Sequence, residues 1–291
     1  MPPWRRFAPA KLNLYLHVTG RRADGLHLLD SLVAFATVGD ELTVAPADAL
    51  TLTVVGPFAR MLDGAPSDNL AWRAAAALAR RLAIAPAVAI HLTKNLPVAS
   101  GIGGGSSDAA ACLRALAALW QCGDDDVPRE VAASLGSDVP ACLHARPLWL
   151  GGIGDRIERA DVLPACGVVL VNPGIPLPTA SVYRAFDGRF SAADRFAIPN
   201  DPWRLAGLLA ARRNDLTEAA IGQVPAIADV LARLAATEHC LLARMSGSGA
   251  TCFALYATRD EANVASRRLQ RECPGWWVVA AGLNSEPEYS A

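Results

Sequence analysis

The sequence predicts an α+β protein in two domains, and three observations carry this. Segments with the two-residue alternation of strands are interleaved with amphipathic helical segments along the chain. The C-terminal part reads strand, helix, strand, and a glycine-rich break, Gly151-Gly152-Ile153-Gly154-Asp155, falls near the middle. A length of 291 residues, 52% of them hydrophobic, suffices for one large or two ordinary domains. The expected domains are residues 1–155 and 156–291.

In chain order, residues 11–18 (KLNLYLHV) alternate as a half-buried strand does, and Ala23-Asp24-Gly25 signals a turn. An apolar stretch from Leu26 to Val38 is expected to end at Gly39-Asp40, with 41–45 and 50–55 forming a hairpin of short strands. Ser67-Asp68-Asn69 offers helix caps ahead of LAWRAAAALARRLA, an amphipathic helix. Val88 to Leu92 reads as a strand, and a helix is expected over 107–120. Pro128 sits in the first turn of the next helix, which Gly136 ends, and Ser137-Asp138-Val139-Pro140 starts another. Val168 to Val171 is a buried strand, and 178–235 is mostly helical. Cys252 to Tyr256 and Trp276 to Ala281 are strands flanking helix 259–271, which Thr258 and Glu261 open with a capping box.

Composition excludes several function classes. A net charge of −1 gives no electrostatic case for nucleic-acid binding. No run of about 18 apolar residues suggests a membrane span, and the N-terminal residues lack the apolar core of a secretory signal. The seven cysteines are scattered, with no C-x-x-C and no metal-ligand spacing. A reduced, cytoplasmic protein without a cysteine-held metal is the expectation.

The stretch Leu96 to Ala111 carries the chemistry. Gly101, Gly103, Gly104 and Gly105 run into Ser106 and Ser107 and then an alanine-rich helix. Glycines admit close backbone approach, and a helix start offers free N–H groups and a positive dipole end. That combination holds phosphate. It is neither a Walker A loop nor the protein-kinase G-x-G-x-x-G, because no Gly-Lys-Ser/Thr follows and Ser106 stands at the last glycine position. A flexible turn capping the helix would require fewer glycines.

Of 27 basic residues only two are lysines, Lys11 and Lys94, and both flank candidate ligand segments. Lysine is a compact point charge where arginine is a planar fork. Asp138 lies near a helix N-terminus, where it can accept a proton, hold a cation or act as a plain cap. His27 follows a turn as a flat hydrogen-bonding ring or an ordinary loop residue. Met245-Ser-Gly-Ser-Gly-Ala-Thr251 is a second small-residue loop, a tight turn or a backbone surface closing with the first loop on one ligand.

Seven segments in this order resemble the GHMP small-molecule kinases: PAKLNLYLHVTGRRADGLH (9–27), SDNLAWRAA (67–75), LPVASGIGGGSSDAA (96–110), LGSDVPACL (135–143), GIGDRIE (152–158), NDLTEAA (214–220) and MSGSGATCFALY (245–256). The glycine loop and SGSGAT carry the superfamily resemblance. PAKLNL, RRADGLH and LGSDVP are similar to the branch that phosphorylates the 2-hydroxyl of a cytidine-diphosphate-linked methylerythritol in isoprenoid precursor biosynthesis. The resemblance implies a ribosomal protein S5 domain 2-like N-terminal domain and a ferredoxin-like C-terminal domain, with the site between them.

It also implies roles. Lys11 polarises the hydroxyl and Asp138 is the catalytic base. Pro97, Val98, Ala99, Ser100, Gly101, Ile102, Gly103, Gly104, Gly105, Ser106 and Ser107 wrap the phosphates of ATP, and Asn69 and Lys94 lie on its adenine side. Asn13, His27, Thr179 and Tyr183 contact the substrate, His27 at the cytosine edge and Tyr183 stacking on the base. Mg²⁺ accompanies ATP, held mostly by phosphates and water with Ser107 nearby and no dedicated metal ligands. The partners implied are ATP and the cytidyl substrate, with a monomer or weak homodimer as the working state. Leu26 departs from the tyrosine common in the family's DGYH. A mevalonate- or homoserine-type GHMP kinase and a non-catalytic nucleotide-binding regulator are the alternatives.

Overall fold

The computed structural model describes residues 3–62, 64–122 and 126–283. Its organising element is a 20-residue strand, β3 (His27–Pro46), which runs straight through Gly39-Asp40. β1 (Trp4–Asn13) lies antiparallel to it, from Trp4↔Val44 to Asn13↔Val33, with a register shift between Pro9 and Lys11. A side chain at Gly39 would stand 2.2 Å from the Ala8 carbonyl oxygen. Gly39 therefore permits close strand approach and does not end the strand.

Two further expectations are corrected. Residues 41–45 and 50–55 do not form a hairpin. β5 (Val88–Thr93) inserts between them, antiparallel to β3 and parallel to β4 (Thr51–Val55). Nor is 11–18 one strand: β1 stops at Asn13 and β2 (His17–Arg21) resumes beyond Leu14-Tyr15-Leu16. These three side chains are all buried, so no face alternation holds there, and Leu16 bridges to Asn214 instead.

The helices of the first half pack on this sheet. α1 (Leu70–Arg81) is capped by Asn69, whose Oδ1 accepts the Ala71 N–H at 2.9 Å. α2 (Gly104–Leu119) starts three residues before the expected 107, because the last glycines form its first turn behind Gly103 at φ 63°. α3 (Asp126–Leu135) and α4 (Asp138–His144) follow. Leu78, Ile90, Leu92, Ala110 and Leu113 fill the space between helices and sheet.

At the end of the first half, β6 (Leu148–Gly151) pairs with β3 and with β7 (Arg156–Arg159), which opens the second. β8 (Cys166–Asn172) lies between β10 (Cys252–Tyr256) and β11 (Trp277–Leu283), with β9 (Leu242–Met245) beside β10. The region 178–235 holds α5 (Thr179–Ala185), α6 (Pro202–Ala210), α7 (Thr217–Gln223) and α8 (Ala226–Ala235), with residues 186–201 irregular. α9 (Arg259–Glu272) opens with the expected capping box.

The strand order β4-β5-β3-β11-β8-β10-β9 joins both halves, through the Leu283↔Ala36 pairing of β11 with β3. Leu12, Leu32 and Ala34 share one core with Leu170, Phe253 and Leu283. The fold class is α+β. The cysteines are all free thiols, and among the described residues no helix is long and apolar enough to cross a membrane.

Candidate active site

The site grows from the bulge in β1. There Lys11 donates its backbone N–H to the Ile102 carbonyl at 2.9 Å, which ties the strand to the glycine loop. Its Nζ donates to Asp138 Oδ1 at 2.7 Å across the start of α4. The pair is asymmetric: the lysine side chain is 5% exposed and the aspartate 42%. The cation is enclosed and the carboxylate faces the cleft, so the carboxylate is the member with room to receive a proton. Gly103 lies over the lysine stem, and a side chain at that position would meet Lys11 Cβ at 3.2 Å.

The two small-residue loops pack back to back. Ser246 Oγ donates to the Gly101 carbonyl at 3.1 Å, and the Thr251 N–H donates to the Ser100 carbonyl at 3.0 Å. A side chain at Gly101, whose φ is +76°, would fall 2.5 Å from the Ser246 carbonyl oxygen. The second loop thus braces the first from behind, and only its Gly247 and Ser248 reach the cleft. Ser246 Oγ also accepts the Asn13 N–H at 3.1 Å, joining β1 to both loops.

The cleft has a volume of about 710 Å³. It is lined by Lys11, Asp138, Asn13, His27, Thr179, Tyr183, Asn69, Lys94 and the loop residues Pro97 to Gly101 and Gly103 to Ser106. Two loop residues expected there point elsewhere. Ile102 is fully buried in the core, and Ser107 donates its hydroxyl to the Pro9 carbonyl at 2.7 Å. Local pattern placed them in the loop; Ile102, ahead of α2, is tied by its carbonyl to the Lys11 N–H, and Ser107 lies on the inward face of the first turn of α2.

Elsewhere in the cleft, the His27 and Tyr183 rings stand 5.2 Å apart, tilted by 33°. Burial, with Arg21 adding to it, holds the His27 ring below the usual histidine range. Burial and the Asp138 charge push the Tyr183 phenol well above its ordinary value. Asn13 Nδ2 donates to Ser31 Oγ at 2.8 Å, and Thr179 and Ser248 hydroxyls share a hydrogen bond of 2.9 Å.

Sequence reasoning missed four residues that contact or hold the residues of the cleft. Phe186, the extended residue that follows α5, sits edge-on to His27 at 5.8 Å, and no local pattern signals that contact. Asp40 and Asp108 flank Lys94, whose Nζ donates to both, and nothing local marks such a pairing. Asn214, first residue of the NDLTEAA segment, donates from Nδ2 to the Met245 and Gly247 carbonyls, both at 2.8 Å, and so clasps the second loop.

Among the described residues no group of three His, Cys, Asp or Glu could hold a metal ion. The donor set fits an ion that arrives on the nucleotide, with the Ser106 hydroxyl at the cleft wall and Ser107 already committed to Pro9.

A backbone loop at a helix start, braced by a second loop and footed by a lysine–carboxylate pair, defines a kinase of the GHMP class. Residues 69–146 match the GHMP kinases N terminal domain, and residues 197–275 match the GHMP kinases C terminal family. The chain is 51% identical over 281 residues to the 4-diphosphocytidyl-2-C-methyl-D-erythritol kinase of Paramagnetospirillum magneticum, covering 96% of this chain and 98% of that one. It is 47% identical to the same kinase of a Jannaschia species, covering 96% of each. A crystal structure of a 4-(cytidine 5'-diphospho)-2C-methyl-D-erythritol kinase superposes with a TM-score of 0.79 at 34% identity, over 97% of this chain and 100% of that one. Homoserine kinase from Cytophaga hutchinsonii superposes with a TM-score of 0.76 at 16% identity, over 98% of this chain and 96% of that one, which shows a shared fold. The chain belongs to the family of 4-diphosphocytidyl-2-C-methyl-D-erythritol kinases within the GHMP kinases.

Proposed function

We propose that this protein transfers the γ-phosphoryl group of ATP to the 2-hydroxyl of 4-diphosphocytidyl-2-C-methyl-D-erythritol, a step in isoprenoid precursor synthesis by the non-mevalonate route. The observation that carries the chemistry is the Lys11–Asp138 pair at the foot of the glycine loop. The family relationship supports the substrate, and so does the pair of rings, His27 and Tyr183, that lines the cleft, with Phe186 edge-on behind His27.

The acceptor is a tertiary alcohol, crowded and weakly acidic, so in-line positioning matters as much as proton removal. Lys11, fixed by its bond to Asp138, places a positive charge beside the hydroxyl oxygen and stabilises the charge that develops there. Asp138, open to the cleft, takes the proton. The free N–H groups from Ser100 to Ser106 hold the phosphates, with Pro97, Val98 and Ala99 shaping the approach. Asn69 and Lys94 form the adenine-side wall. Asn13 and Thr179 orient the polyol, while His27, neutral at physiological pH, meets the cytosine edge. Mg²⁺ bound to the nucleotide would neutralise phosphate charge, with Ser106 a loop residue on the cleft wall that could help hold it. One chain supplies every group, in keeping with a monomer or weak homodimer in the cytoplasm.

A coupled assay of ATP consumption tests this reading, with the cytidyl substrate, mevalonate, homoserine or no acceptor. Turnover with the cytidyl substrate alone is the expected result. Preferential turnover of mevalonate or homoserine, or none with any acceptor, refutes it.

A further inference from the structure

The Asp40–Lys94–Asp108 cluster spans the glycine loop from entry to exit. Asp40 Oδ1 accepts the N–H groups of Asn95 at 2.6 Å and Leu96 at 2.9 Å, immediately before the loop. Its Oδ2 accepts from Lys94 Nζ at 2.5 Å, and the same ammonium donates to Asp108 Oδ2 at 2.7 Å, in the second turn of α2. All three side chains are at most 3% exposed. A side chain at Gly104, the first residue of α2, would come within 3.1 Å of Lys94 Nζ, so the helix start rests on the ammonium. Both ends of the loop are thus tied to one buried cation.

We propose that Asp40, Lys94 and Asp108 are positioning residues that set the gap between the two ends of the phosphate loop, so that nucleotide binding depends on them and the alcohol site does not. The proposal rests on the reading of this loop as the ATP phosphate site and assigns Lys94 an action through the loop. Two features support it. The cluster is buried and holds two carboxylates for one ammonium, an arrangement whose geometry must be good to be tolerated. Asp108 Oδ1 is buried without a hydrogen-bond partner, so the cluster is not an optimised structural ion pair. Burial, with the Asp40 charge adding to it against Lys94, raises the Asp108 carboxyl to about 7. The titratable groups that face Asp108 are Lys94 beyond β5, Asp40 on β3 and Cys112 one turn further along α2. Loss of a proton from Asp108 therefore changes the cluster's charge near neutral pH, and the loop it holds changes with it.

The test is Asp108→Asn, which keeps shape and removes the titrating group. ATP and cytidyl-substrate affinities are measured by calorimetry from pH 6 to 8.5 on both proteins. The expected result is ATP binding weakened about tenfold at pH 8, the order of one lost charge-assisted hydrogen bond, with a pH profile that diverges from wild type between pH 6 and 8. Cytidyl affinity stays within about twofold, because Asn13, His27 and Tyr183 lie off the cluster. Parallel ATP profiles in the two proteins, or equal weakening of both ligands, overturn the proposal. If Asp108→Asn does not fold, Asp40→Asn takes its place. Asp40 does not line the cleft and meets it only through Lys94 and the loop entry, so selective loss of ATP affinity is expected, while unchanged ATP affinity overturns the proposal. Calorimetry needs no turnover, so a wrong acceptor leaves the ATP readout intact; a wild-type protein that binds no ATP refutes the site reading itself.

Discussion

At the residue scale, the Lys11–Asp138 pair is asymmetric in exposure, and each half of the proposed division of work has its own test. Asp138→Asn keeps the shape and removes the proposed base; kcat should fall by about 10²–10⁴-fold while ATP still binds. A kcat near wild type would remove Asp138 from the role of base. Lys11→Arg keeps the charge but not the volume, since the side chain is 5% exposed and Gly103 covers its stem. A planar fork does not fit that channel, so activity should fall below about a tenth of wild type; retention of half or more counts against the geometric argument. Leu26, which is 48% exposed and lines the cleft beside His27, replaces the tyrosine that the family resemblance implies at this position. Leu26→Tyr should tighten the cytidyl substrate, since base–aromatic stacking is worth about 1–3 kcal/mol, and leave ATP affinity unchanged. Calorimetry with each ligand decides, and weaker cytidyl binding would show that residue 26 does not face the base.

At the element scale, the site depends on loops that brace one another. Gly101 and Gly247 are pressed so closely that a side chain at either would collide with backbone of the other loop. Asn214 holds the outer loop by two carbonyls and in turn accepts the Leu216 N–H at 3.0 Å, so the amide has no unmet bond on that side. Asn214→Ala leaves two buried carbonyls without that donor. The expected cost is about 2–4 kcal/mol of stability, read as a shifted urea midpoint, together with a raised KM for ATP. A loss below about 0.5 kcal/mol would show that water replaces the amide without strain.

At the scale of the molecule, β3 is the common element. It carries β1, β5 and β6 of the first half, and β11 reaches it from the second. One core contains side chains from both halves, Leu12 and Leu32 with Leu170 and Phe253. Neither half can unfold without exposing that shared surface. Scanning calorimetry should therefore show a single transition with matching calorimetric and van't Hoff enthalpies; two resolved transitions would mean that the halves are independent.

Where local physics decides, the sequence was sufficient. The cap at Asn69, the capping box at Thr258 and Glu261 and the placement of Asp138 at the head of α4 all depend on neighbours within a few residues. The glycine loop was legible for the same reason. What the tertiary structure decided was which distant segment meets which. β5 enters between β3 and β4, antiparallel to the first and parallel to the second, so the apparent hairpin never pairs. Gly39 serves an approach by β1 that no window around it shows. Lys94 stood out as a rare lysine, yet its carboxylates lie 54 and 14 residues away, and Asn214 finds its loop 31 and 33 residues on. Such partners are selected by strand docking and helix packing, whose energies are summed over the whole core, so no local pattern of residues encodes them.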